Sequence, residues 1–239
     1  LSEPRKAIDF YGQALAISLE IGDRRVEGNA LRTLGNAYLD LGEPRKAIEF
    51  YEQALAIARE IGDRQGEGDA LGNLGVAYSD LGEPRKAIEF YGRALAIFKE
   101  IGDRRGEGYH LGNLGGAYSN LGEPRKAIEF YEQALKIAQE IGDRRGEGAD
   151  MGNLGNAYSN LGEPRKAIEF YEQQLSIARQ IEDRRGEGNA LWNMSLALDK
   201  LGKRAKAIDC ARAVLKIYEE IENPTAGRVR QKLQEWEGS

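Results

Sequence analysis

Apolar residues recur along the chain in two alternating helical patterns that repeat every 40 residues. In one stretch Ala47, Ile48, Phe50, Tyr51, Ala54, Leu55, Ile57, Ala58 and Ile61 form a broad apolar band, with Arg45, Glu49, Glu52 and Arg59 opposite. The spacing predicts a helix, here helix B, from Pro44 to about Ile61. Pro at the first helical position loses only an N–H that has no partner there anyway, and Gly62 stops the helix. Asp63 then offers its carboxylate to the free N–H groups of a second helix, helix A, running to about Leu81. Its stripe is narrower, with Leu71, Leu74, Gly75 and Tyr78 within about 100° of each other at 100° per residue. Helix B is too widely apolar for one contact, so it is expected to pack on its own helix A and on the next. Gly75, with Ala70 and Ala77, is expected to let a neighbouring backbone approach closely.

The segment LGEPRKAIEFY begins at Leu41 and returns unchanged at Leu81, Leu121 and Leu161, with a weaker copy at Leu1 and a decayed one at Leu201. A period of this length predicts an all-α solenoid of antiparallel helix pairs, each burying its apolar faces against its neighbours. Residues 1–22 read as helix B of an incomplete first repeat, 23–222 as five 40-residue units and 223–239 as a capping helix. In the last, Ala226, Val229, Leu233 and Trp236 make one apolar stripe. The chain starts partway through a repeat, so we expect a fragment of something longer. Its first helix lacks a helix A, and Ile8, Tyr11 and Leu15 are expected to be exposed there. That face would support a homodimer or end-to-end stacking.

Composition narrows the function. The formal net charge is −5, which supplies no large basic surface, so nucleic acid is excluded as a partner. No run approaches the roughly 20 apolar residues of a membrane span. One cysteine, Cys210, allows no internal disulfide, and with no signal peptide the expected location is cytoplasmic. His110 is the only histidine. It and Asp150 stand where other units have Ala30, Ala70 and Ala190, and without further ligands or a nucleophile they make neither a metal site nor a catalytic one. The glycine-rich GEG and GNLG segments lie inside helices, not after a strand, so no phosphate loop is expected. Cys210 occupies the place of Phe50 and reads as a packed thiol. The chain is therefore expected to be no enzyme and to carry no cofactor.

Leu74-Gly75 followed by Tyr78, with Ala87, Tyr91 and Ala94, resembles the tetratricopeptide repeat. The likeness is to its long-helix, 40-residue form, similar to kinesin light chain, Pins-like and bacterial arrays. The resemblance implies a right-handed superhelix whose helix A side lines a concave groove for a protein or peptide. Positions 69, 73, 76 and 80 lie about 180° from the core stripe and are expected to face that groove. Ten of the eleven Asn fall on this face although Asn is a poor helix former. Asn73, Asn113, Asn153 and Asn193 recur at one position and form a ladder whose amides match the donors and acceptors of an extended main chain. Asn29, Asn36, Asn156 and Asn189 extend the candidate site, and Tyr109 and Arg32 vary between units and would set specificity. The same amides could instead bond one another or water. The function expected is a peptide-binding interaction scaffold. The alternative is a self-assembling structural or regulatory repeat module of a larger multidomain signalling protein.

Overall fold

The computed structural model describes residues 2–238, with side chains from residue 8 onward. Its described residues form twelve α-helices and no strand. They are α1 (Ser2–Ile21), α2 (Arg24–Asp40), α3 (Pro44–Glu60), α4 (Arg64–Asp80), α5 (Pro84–Glu100), α6 (Arg104–Asn120), α7 (Pro124–Ile141), α8 (Arg144–Asn160), α9 (Pro164–Gln180), α10 (Arg184–Lys200), α11 (Arg204–Glu220) and α12 (Ala226–Glu237). The chain divides into two compact units between Leu121 and Gly122, the first holding α1 to α6 and the second α7 to α12. Within each, consecutive helices pack together, and α2 also meets α4 in the first as α8 meets α10 in the second.

The local chemistry repeats with the sequence. Asp63, Asp103, Asp143 and Asp183 cap α4, α6, α8 and α10, accepting from the backbone N–H of Gly66, Gly106, Gly146 and Gly186 at 2.9 to 3.0 Å. The odd-numbered helices α3, α5, α7 and α9 start on proline. Most helix connections turn through a glycine in the left-handed region, such as Gly62 at φ 69° and Gly82 at φ 72°. Glu182 at φ 55° and Glu222 at φ 52° occupy that region without glycine's freedom.

In the first unit the core gathers Leu31, Tyr51, Leu71, Leu74, Ile97 and Phe98 from α2 to α5. The glycine of the helix A stripe has a different role from the one its size suggests. A Cβ at Gly35, Gly75 or Gly155 would stand 2.4 to 2.5 Å from the ring of Tyr51, Tyr91 or Tyr171. The space left by each glycine admits a tyrosine ring from the following helix, not a neighbouring backbone. The expectation for α1 also needs correction. Ile8, Tyr11 and Leu15 are half-buried, while Phe10, Ile17, Leu19 and Ile21 are 58 to 67% exposed.

Candidate amide-lined binding site

The predicted amides lie on α2, α4, α6, α8 and α10, where Asn73, Asn113, Asn153 and Asn193 are half-buried and Asn29, Asn36, Asn156 and Asn189 exposed. Two of the units show how they are held. In the first, Tyr51 Oη donates to Asn36 Oδ1 at 2.7 Å, and Asn73 Nδ2 donates to the same oxygen at 3.3 Å. In the second, Tyr171 Oη and Asn193 Nδ2 donate to Asn156 Oδ1 at 2.8 and 3.1 Å. Burial pushes both phenols well above the usual tyrosine range, so they remain donors. The amides therefore do bond one another, but through one oxygen only. Among the described residues no partner is seen for the NH2 groups of Asn36 and Asn156 or for the carbonyl oxygens of Asn73 and Asn193.

Inside the first unit the acceptor position is lost at Val76 and again at Gly116. Val76 stands where Asn36 and Asn156 supply the acceptor, and the Nδ2 of Asn113, one repeat later, is buried with no partner. Arg32 reaches Asp69 at 3.2 Å and Asn29 at 3.4 Å, linking α2 to α4. Burial still raises the Asp69 carboxyl, against the pull of Arg32. Tyr109 is 59% exposed and sets its ring edge-on to His110, 5.2 Å away. His110 packs on Phe98 at 4.9 Å with its Nδ1 unpartnered, and burial lowers it to about 4.

The second unit brings four of the predicted amides to one place. Asn153, Asn156, Asn189 and Asn193 line a cavity of about 480 Å³ between α8, α9 and α10. Ile177, Ala178 and Ile181 give it an apolar floor and Trp192 an aromatic wall. Asn189 accepts from Tyr218 Oη at 2.7 Å, which leaves its NH2 available. Arg144 and Arg184 pair with Glu147 and Glu187, but exposed Arg145 and Arg185 at the mouth form no ion pair among the described residues.

Sequence reasoning missed Gln174, Arg145, Arg185 and Asp183, which line the same cavity. Gln174 replaces the Ala54, Ala94 and Ala134 of the other units, and its amide lies where a Cβ at Gly152 would stand, 2.6 Å from Nε2. Its Oε1 is buried and lacks a partner, which costs about 1–3 kcal/mol for a neutral acceptor. The signal was available as a break in the repeat, a polar residue at an alanine position.

The cavity and its amides belong to a repeat that known sequences and structures share. The sequence profile described as the tetratricopeptide repeat matches residues 1–60, 26–100, 66–140, 108–180 and 148–220. No curated protein matches the chain by sequence. Among solved structures, BtubC (BKLC) from P. vanneervenii is 21% identical, with 93% of this chain and 94% of that one covered and a TM-score of 0.81. The apo quorum sensor NprR from B. thuringiensis is 18% identical, covering 97% and 66% with a TM-score of 0.79. A Rap protein complexed with Competence and Sporulation Factor is 17% identical, covering 97% and 69% at 0.71. At these identities the likeness is one of fold.

Proposed function

The chain belongs to the tetratricopeptide repeat family, an interaction scaffold, and from that premise we propose that it binds an extended segment of a partner protein along its amide-bearing helices. The observation that carries the reading is the cavity of the second unit. Asn153, Asn156, Asn189 and Asn193 converge there with unused donors and acceptors, and the Oε1 of Gln174 awaits a donor. An extended main chain presents one N–H and one C=O per residue, which is the complement of a row of amides. The unpaired Arg145 and Arg185 favour an acidic segment. A Rap protein has been solved in complex with Competence and Sporulation Factor on the same fold, which agrees with this use of it.

A random-peptide display library selected on the whole protein, followed by calorimetry on the winners, tests the reading. Replacing Asn153 and Asn193 together by Ala is expected to weaken the selected peptides by at least about tenfold, or ~1.4 kcal/mol, with helicity unchanged. Equal affinity for both proteins would remove the proposal.

The second reading, self-association, has its own observation in the large side chains Phe10, Ile17, Leu19 and Ile21 exposed on α1. Sedimentation across a concentration series is expected to show dimers that vanish when Phe10 and Ile17 become Ser. A strict monomer at every concentration would dismiss it.

A further inference from the structure

A second cavity, sharing no lining residue with the first, opens between α9, α10 and α11. It measures about 360 Å³ and is bounded by Ile168, Met194, Leu198 and Cys210, with Lys203 and Lys206 at its rim. The repeat shows what belongs there. One register earlier in the same unit, Tyr158 and Phe170 stack with centroids 5.3 Å apart and planes 6° from parallel. Tyr38 with Phe50 and Tyr78 with Phe90 do the same at 5.2 Å in the first unit. A lysine covers each tyrosine ring: Lys46 at 5.2 Å, Lys86 at 4.8 Å and Lys166 at 3.9 Å from the centroid. In the last repeat Leu198 replaces the tyrosine, Cys210 replaces the phenylalanine, and the lysine remains as Lys206.

The scaffold thus retains the covering cation and the apolar floor of an aromatic slot but has lost both rings. Its rim charge has changed as well. Lys46, Lys86 and Lys126 pair with Glu43, Glu83 and Glu123 three residues before them. The residue three before Lys206 is Lys203, so two ammonium groups stand where those three repeats hold a neutralised pair. Glu172 and Asp209 also line the slot. Their register equivalents Glu52 and Glu89 accompany filled aromatic pairs, so they do not oppose a ring.

We propose that this slot is a docking site for an aromatic side chain of a partner protein, carried beside a carboxylate that meets Lys203. The ring takes the place of the missing Tyr–Phe pair under Lys206, and the acid neutralises the second lysine. The site does not depend on the amide-lined cavity and needs no help from it.

Two synthetic peptides test it on the whole protein: one Phe flanked by glutamates, and its match with Ala for Phe. Anisotropy is expected to show saturable binding of the Phe peptide only. Because Cys210 is the sole cysteine and lines the slot, saturating Phe peptide is expected to slow its alkylation by iodoacetamide about tenfold. The double variant L198Y/C210F rebuilds the aromatic pair, so it is expected to melt no lower than the native chain and to lose the peptide. K206E, a substitution at the rim, is expected to weaken binding about tenfold whether or not the double variant folds. Absent binding of the Phe peptide, an unchanged alkylation rate, or full affinity in K206E would overturn the proposal. So would loss of binding on replacing Asn153 and Asn193 with K206E unaffected, which would move the peptide to the other cavity.

Discussion

Glu182 holds φ 55° where the corresponding residue of most other repeats is glycine, because the chain must pass from α9 to the cap Asp183 through a left-handed residue. A side chain there is disfavoured by about 1 kcal/mol through contact of Cβ with the following carbonyl. Glu182→Gly is therefore expected to raise stability by about that amount, read as a higher urea midpoint at unchanged slope. Val76 is the second residue out of register. An asparagine there would return an acceptor to the buried Nδ2 of Asn113, as Asn36 does for Asn73 at 3.3 Å. Valine and asparagine differ little in helix propensity. Val76→Asn is thus expected to stabilise the first unit by about 1 kcal/mol in the same measurement.

At the level of the helix, the packing of tyrosine into glycine decides how close α4 and α5 lie. Gly75→Ala would ordinarily help an isolated helix by roughly 1 kcal/mol. Here the added Cβ would meet the Tyr91 ring at 2.5 Å, so the ring must move out of a filled core. Overpacking of this kind costs about 1–3 kcal/mol, and the net effect expected is a lower thermal midpoint despite better propensity. The same contact places the Tyr51 and Tyr171 hydroxyls beneath the Asn36 and Asn156 oxygens, so the glycine positions the site as well as the core. The amides were legible as a face from helical spacing alone. Their bonding was not, because spacing along one helix says nothing of a hydroxyl arriving from another.

Across the molecule, two buried titratable groups make the units answer acid in opposite senses. His110 in the first unit is lowered to about 4 from an ordinary 6.5, chiefly by burial and against the pull of Asp103. The unfolded chain then binds more protons between those values, so acidification from 6.5 towards 4 withdraws stability. Asp150 in the second unit is raised to about 7 from an ordinary 3.8, by burial and then by Asp143. Here the folded state binds the extra proton, and stability is withdrawn as pH climbs from 3.8 through 7. Replacing each by the alanine found at Ala30, Ala70 and Ala190 is expected to remove its own limb of the profile. Asp150→Ala should gain on the order of 1–3 kcal/mol at pH 8, and His110→Ala should flatten the acid limb between 6.5 and 4, both followed by denaturation across pH.

By itself the amino-acid sequence determined the helices and their pairing. A 40-residue period and apolar stripes at helical spacing leave a stacked array as the consistent solution. Tertiary structure alone decided which amides spend an oxygen on a tyrosine. It also decided that Gln174 is stranded beside Gly152, and that exchanging Tyr and Phe for Leu198 and Cys210 leaves a slot and not a collapsed core. The physical reason is that periodicity reports which way a residue faces. Whether a polar atom is satisfied or a volume filled depends on three helices meeting within a few ångströms, a distance no one-dimensional pattern contains.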